Sequence, residues 1–301
     1  MNRPVLWMIC FCFLLLTSCG LLAGPGNHDR SVSEKTEGTG SETTTAAETD
    51  NTGMSTEATA ESPSYVDPNT LSNTMMAWWF MRNENHTAPS AQEEIDLSRY
   101  NAWYVKTDLK ADEKPVFLTF DCGYENGYTP GMLDVLKKHK APAAFFLCKH
   151  FIKDQPELVK RMKKEGHIVG NHTANHICMP EASEREIREE IAENAAYMKE
   201  ATGYEMDHFF RPPKGEYSER TLQITKDMGY ITVFWSLAYL DYDVNKQPGK
   251  EYVVNQFAKY IHPGAIPLIH NVSSSNAEAL DDVLTALEQE GYSFCSLNEL
   301  P

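Results

Sequence analysis

From residue 116 onward the chain alternates between short apolar runs and longer amphipathic ones. The runs "VFLTF" (116–120), "AAFFLC" (143–148), "HIVGN" (167–171), "HFFRP" (208–212), "YITVFWS" (230–236), "AIPLIHN" (265–271) and "YSFCSL" (292–297) are short and mostly apolar, which predicts buried strands. Helical patterns fall between them, at 130–140, near 155–165, from Ser183 onward, and at 218–228, 250–261 and 276–290. The helix from Ser183 is the clearest. Ser183 and Glu186 are spaced as a capping box, Ile187, Ile191, Ala195 and Met198 repeat at three- and four-residue steps, and Gly203 closes it. Seven strand–helix alternations predict an α/β fold with a parallel sheet covered by helices. Closed barrels and open doubly wound sheets both fit the rhythm. No Gly-rich dinucleotide fingerprint follows the first strand, which counts against a nucleotide-binding open sheet.

The pattern upstream is different. Residues 1–22 carry Arg3 and then an almost unbroken apolar run, too short for a comfortable membrane span but suited to an export signal. The run ends in Leu16-Thr17-Ser18-Cys19, which resembles the lipobox of bacterial lipoproteins and implies cleavage before Cys19 and a lipid chain on its sulfur. The alternative is an ordinary signal anchor whose cysteines are apolar filler. On either reading the body of the protein lies outside the cytoplasmic membrane. Between Gly24 and Ser64 the only large aliphatic residues are Val32 and Met54, so the segment predicts a flexible tether that cannot bury enough surface to fold. The expected organisation is a signal peptide over 1–19, an acidic Ser/Thr-rich tether over 20–64, and a folded domain over 65–301.

Charge narrows the partners. The formal net charge is −16, of which the stretch 24–64 accounts for −6, leaving about −10 for everything else. A body that acidic is a poor binder of nucleic acid or of an anionic bilayer through its general field. Seven cysteines suggest disulfides in an exported chain, yet Cys10, Cys12 and Cys19 belong to the signal. The other four, Cys122, Cys148, Cys178 and Cys295, have long irregular spacings and no CxxC zinc pattern.

Titratable groups recur where the predicted strands end: Asp121 with Cys122, His172 with His176, Arg211, Asp241, and His270. In parallel α/β folds the ligand site lies at the carboxyl ends of the strands, so five successive placements point to an active site there. The set "TFDCG" (119–123), "HTANH" (172–176), "RPPKG" (211–215), "WSLAYLD" (235–241) and "LIH" (268–270) resembles the five motifs of the NodB-type polysaccharide deacetylases, carbohydrate esterase family 4. The match runs in the expected order over roughly 115–301. The resemblance implies a distorted (β/α) barrel of seven or eight strands over 113–301, a divalent metal, usually zinc, and hydrolysis of N-acetyl groups on amino sugars.

Within that family, "NGYTPGMLDVLKKHK", "KDQPELVKRMKKEGHIVGNH" and "HPGAIPLIHNVSSSNAEALDDVL" are similar to the peptidoglycan de-N-acetylases of the muramic δ-lactam pathway in spore cortex. "WWFMRNENHTAPS" (78–90) extends the likeness upstream, which implies that an extension over 65–112 belongs to the same folded unit.

The resemblance also assigns roles. Asp121 would be the general base, His172 and His176 metal ligands, and His270 the general acid with Asp241 beside it. Arg211 would pair with Asp121, and Trp235 and Tyr239 would wall the sugar site. Asp243, two residues on, could compete with Asp241 for its role. His139, His150, His167 and His262 fit no motif and are read as surface or packing residues.

Cys122 departs from the pattern, because most of the family has a second Asp there as a metal ligand. Three readings stand: a thiolate completing a His₂Cys zinc set, a protonated thiol leaving a two-histidine site, or a packing residue. Ligation is the reading carried forward.

The expected function is removal of acetyl groups from N-acetylmuramic acid in peptidoglycan glycan strands by a lipid-anchored enzyme on the outer face of the cytoplasmic membrane or in the forespore envelope, with no nucleic-acid partner. Two rivals are a deacetylase of N-acetylglucosamine or chitin-like glycans and a glycan-binding lipoprotein without chemistry.

Overall fold

Short β-rich segments separated by amphipathic helices can bury both of their faces only as a parallel sheet under a helical layer. The protein, described by a computed structural model over residues 65–92 and 94–300, takes that form. The expected signal peptide (1–19) and tether (20–64) lie outside the described residues. Seven strands form one sheet: β1 (Ala102–Trp103), β2 (Leu118–Cys122), β3 (Ala143–Leu147), β4 (Ile168–Asn171), β5 (Phe209–Phe210), β6 (Ile231–Val233) and β7 (Leu268–His270). Their spatial order is β7-β2-β3-β4-β5-β6-β1, and every neighbouring pair is parallel. The edge strands β7 and β1 do not pair along their length. Isolated bridges between Val105 and Ala265 and between Leu237 and Pro267 bring the two margins together, so the sheet curls into an incompletely closed barrel.

Among the described residues seven α-helices cover the outside: α1 (Thr129–Lys138), α2 (Lys149–Asp154), α3 (Pro156–Lys164), α4 (Glu184–Thr202), α5 (Glu219–Asp227), α6 (Lys250–Tyr260) and α7 (Ser274–Gln289). The capping box of Ser183 and Glu186 opens α4, and Gly203 at φ 83° ends it. The single helix expected near 155–165 is two helices. Gln155, outside the helical region at φ −131° and ψ 47°, separates them, because a residue before proline is pushed out of the α region. The last predicted strand is also shorter than expected. Only Ser293–Phe294 is extended, and it pairs with Pro115–Val116 rather than joining the main sheet.

The period of two sorts each strand between two cores. On β3, Phe145 and Leu147 pack outward with Met132 and Leu133 of α1 and Leu284 of α7. Ala144 and Phe146 point into the barrel with Phe209, Val233 and Ile266. On β2 the outward set is Leu118, Phe120 and Cys122, which leaves Thr119 and Asp121 facing in. The segment before the barrel contributes β1 to its margin. There Trp78 stacks on Phe234 at 4.5 Å and donates its indole N–H to the Trp235 carbonyl at 2.9 Å.

Candidate active site

Register places the two central groups side by side. β7 pairs with β2 so that His270 stands opposite Asp121. Arg211 follows β5, and its guanidinium reaches inward over the Phe146 ring at 4.4 Å. The side chain is fully buried, and its nitrogens are divided among three acceptors. Nε donates to the Val233 carbonyl at 2.9 Å, one terminal nitrogen donates to Phe234 O at 3.1 Å, and the other donates to Asp121 Oδ1 at 2.9 Å. A buried cation with each of its three nitrogens bonded in this way is a fixed charge. Burial pushes the Asp121 pKa up, but the Arg211 guanidinium, helped by His172 and His270, outweighs it and holds the carboxyl below its usual range. Asp121 is therefore an anion with one oxygen committed.

Its other oxygen, Oδ2, lies 3.6 Å from His172 Nε2. His172 begins the loop after β4, and its Nδ1 lies 2.7 Å from the Arg211 carbonyl. A carbonyl only accepts, so Nδ1 carries the hydrogen, and in the neutral ring Nε2 is a bare lone pair. Burial keeps that ring neutral by lowering its pKa against the pull of Asp121. Two acceptors thus face each other, an arrangement that a cation between them relieves.

The His176 ring stands 5.0 Å from that of His172, and burial together with His172 lowers its pKa to about 4, leaving its lone pair available at neutral pH. The loop between them is strained. Thr173 and His176 both hold left-handed backbone, at φ 62° and 55°, which costs a non-glycine residue roughly 1 kcal/mol or more. Side-chain bonds hold it in place: Asn171 accepts from the Thr173 amide at 2.9 Å, and Glu190 accepts from the Asn175 amide at 2.8 Å.

His270 is oriented from the opposite side. Asp241 Oδ1 accepts from its Nδ1 at 2.7 Å, and Oδ2 accepts from the His270 amide at 2.8 Å and from Asn276 Nδ2 at 2.7 Å. Burial would lower the imidazole pKa, but the Asp241 charge and hydrogen bond, with Asp121 behind them, raise it overall. The ring is about a quarter exposed, and its Nε2 remains free to carry the second proton. Asp243 does not compete for this role. It accepts from the Asn245 amide at 3.0 Å within its own turn.

Two expected site residues lie elsewhere. Cys122 is on the outward face of β2, fully buried with Leu118 and Phe120 in the helix-facing core. Desolvation, with Asp121 adding to it, pushes its thiol far up, and the side chain packs on the face of β2 opposite Asp121. The alternation of the strand is the reason: Asp121 and its neighbour must point to opposite faces. Tyr239 is also core rather than sugar wall, buried with its hydroxyl donating to Asn276 Oδ1 at 2.9 Å. Trp235 is half-buried, 5.6 Å from the Arg211 guanidinium. Exposed aromatics on the loops after the strands include Tyr242, whose ring meets His270 edge-on at 5.8 Å, and Tyr124 on the loop after β2. Asn276, which fixes Asp241, had no signal in the sequence apart from its place in the first turn of α7.

Among the described residues no three His, Cys, Asp or Glu side chains already enclose an ion-sized space. The donor chemistry nevertheless fits a divalent metal: two neutral imidazoles, and a carboxylate oxygen facing one of them.

The site has counterparts in known proteins. A family model described as polysaccharide deacetylase matches residues 108–233. The chain is 45% identical over 230 residues to the peptidoglycan-N-acetylmuramic acid deacetylase PdaA of Bacillus subtilis, covering 76% of this chain and 86% of that one. The solved structure of Bacillus subtilis PdaA, described as a family 4 carbohydrate esterase, superposes with a TM-score of 0.73 over 76% of this chain and 98% of its own. A peptidoglycan-N-acetylglucosamine deacetylase of Bacillus cereus is 34% identical, over 69% of this chain and 96% of the relative.

Proposed function

The chain belongs to the polysaccharide deacetylase family, the family 4 carbohydrate esterases, and from that premise we propose that it removes the acetyl group from N-acetylmuramic acid in peptidoglycan. It is a hydrolase of N-acetyl amides; the choice of sugar is the proposal. The observation that carries the chemistry is the pairing of an ionised Asp121 and a proton-bearing His270 in register on adjacent strands.

Amide hydrolysis needs a water stripped of a proton and an amine nitrogen given one. With Oδ1 bonded to Arg211, Asp121 presents Oδ2 to the site as the proton acceptor. Arg211 keeps that carboxylate ionised and aimed. On the far side His270, its Nδ1–H held by Asp241, presents Nε2–H to the departing nitrogen. Its raised pKa favours the acid form. His172 and His176 would hold a divalent metal such as zinc, next to the carboxylate that acts as the base. Bound there, the ion supplies a polarised acyl oxygen and a more acidic water. Tyr242 and Tyr124 offer apolar faces to a sugar at the rim.

The muramic reading is supported by the similarity to PdaA, and it extends to a muramic acid stripped of its stem peptide, whose freed amine would close onto the lactyl group as a δ-lactam in spore cortex. Anchorage through lipidated Cys19 on the outer face of the cytoplasmic membrane, or in the forespore envelope, is supported by the pattern of residues 1–22. The test is incubation of the purified chain with denuded glycan strands and zinc, followed by mass spectrometry of the fragments. Loss of one acetyl mass on muramic acid supports the proposal. Loss on glucosamine alone replaces it with the second substrate. Binding without loss on either marks a glycan-binding protein without chemistry.

A further inference from the structure

The loop after β6 must bring Asp241 to His270 without regular hydrogen bonding of its own. Past the bridge from Leu237 to Pro267, residues 238–249 form no helix or strand, and the apolar side chains of Leu240, Tyr242 and Val244 are exposed. Such a segment opens easily unless side chains tie it down. Asn276 makes one tie, donating from Nδ2 to Asp241 Oδ2 at 2.7 Å and to the His270 carbonyl at 3.1 Å.

Gln247 makes another, and the chemistry above does not use it. Its half-buried side chain bonds at both ends. Nε2 donates to the Asp241 carbonyl at 2.8 Å and to the Asp243 carbonyl at 2.9 Å, which uses both of its hydrogens. Oε1 accepts from Ser273 Oγ at 2.6 Å and from the Ser275 amide at 3.2 Å. Ser273 is the N-cap of α7, its hydroxyl oxygen accepting from the Asn276 amide at 3.1 Å, and the Ser275 amide is a first-turn donor that the helix cannot satisfy itself. The partners fix the orientation of the glutamine, because a flipped amide would set oxygen against two carbonyls and its NH₂ against an N–H. One side chain thus joins the loop that carries Asp241 to Ser273, three residues past His270. The two carbonyls it holds flank Tyr242, whose ring meets His270 at 5.8 Å.

We propose that Gln247 is a positioning residue for the proton donor: by holding the Asp241–Asp243 arc against the start of α7, it keeps the Asp241 carboxylate on His270 Nδ1. It acts through Asp241 and touches neither the sugar nor the reacting atoms. The inference rests on the reading of His270 as the acid of the proposed reaction. The Nδ1–Oδ1 distance is 2.7 Å, and such a bond weakens beyond about 3.2 Å, so a loop that relaxes by about 0.5 Å gives up the orientation of the ring.

The experiment uses the full chain and two substitutions. Gln247→Leu removes all four bonds. Gln247→Glu still accepts from Ser273 and Ser275, at a helix N-terminus that suits a carboxylate, but offers no hydrogen to the two carbonyls. Both should lose about tenfold in kcat for acetate release from denuded glycan by the zinc-loaded protein, with KM within about twofold of wild type. In the metal-free protein the His270 Nδ1 proton, followed by NMR, should exchange with water about tenfold faster in both. Gln247→Glu should melt close to wild type. In an Asp241→Asn background either substitution should cost less than about twofold more, since the charge it positions is gone. Losses that multiply in full in that background, or a His270 proton that exchanges as in wild type, would overturn the inference. So would a loss confined to Gln247→Leu with a lowered melting temperature, which would make Gln247 a cap of α7 alone. No acetate from wild type would overturn the substrate reading, and the proton exchange would then decide this inference by itself.

Discussion

Asp241→Asn keeps the shape of the group behind His270 and removes its charge. In the structure Asp241 is fully buried, with Oδ1 2.7 Å from His270 Nδ1 and Oδ2 receiving the His270 amide and Asn276. Those last two donors claim the amide oxygen of the asparagine, so its NH₂ must face Nδ1. The ring then accepts at Nδ1 and holds its remaining hydrogen on Nε2, a neutral tautomer with little acidity. Two unit charges about 4 Å apart interact by about 4 kcal/mol at an effective dielectric of about 20. Because the ring is a quarter exposed, roughly half of that, about 2 kcal/mol, is retained after screening, or about 1.5 pKa units. The alkaline limb of kcat/KM should therefore move about 1.5 units toward lower pH, with a loss of roughly 30-fold above the wild-type limb.

Stability should follow the same sign. A folded pKa raised above 6.5 gives His270 a contribution that is full below pH 6.5 and is lost as pH rises through the folded value, so wild type and variant should differ most at acid pH and converge on the alkaline side. pH–rate profiles and NMR titration of His270 check both. A uniform drop in kcat with an unmoved alkaline limb would refute His270 as the proton donor.

Cys122→Ser should leave zinc affinity within about twofold of wild type by calorimetry and cost about 1–3 kcal/mol in denaturant unfolding, since it puts a hydroxyl into an apolar core; a large loss of affinity would return the thiol to the metal. Removal of metal by chelation should abolish acetate release, and added zinc should raise the melting temperature of wild type but not of His172→Ala, read by scanning calorimetry. His167, buried and held near pKa 4 by desolvation, stays neutral while the unfolded chain protonates. Its share of stability, about 3 kcal/mol, should disappear as pH falls from 6.5 to about 4, and that acid sensitivity should be missing from the unfolding profile of His167→Asn.

Much of this protein is readable without coordinates, for identifiable reasons. Strand–helix alternation is a local property of apolar spacing, and it predicted the parallel sheet, the order of elements and the capped start of α4. Because loops at the carboxyl ends of parallel strands converge, the positions of Asp121, His172, His176, Arg211, Asp241 and His270 along the chain were enough to expect one site. What a side chain faces is not local in the same way. Cys122 follows Asp121 in the chain but points to the other core, since a strand running on through both residues must alternate. Tyr239 read as a sugar wall from its motif, yet α7 covers it and takes its hydroxyl.

The contribution of β1 to the sheet could not be read, because a two-residue strand leaves no periodicity. Nor could the close packing of Trp78 and Trp235 against Gly215, because the three residues come from separate parts of the chain. The sequence determined which groups exist and at which strand ends they stand. Only the tertiary structure decided which faced one another, because register, twist and burial act between segments that the linear order keeps apart.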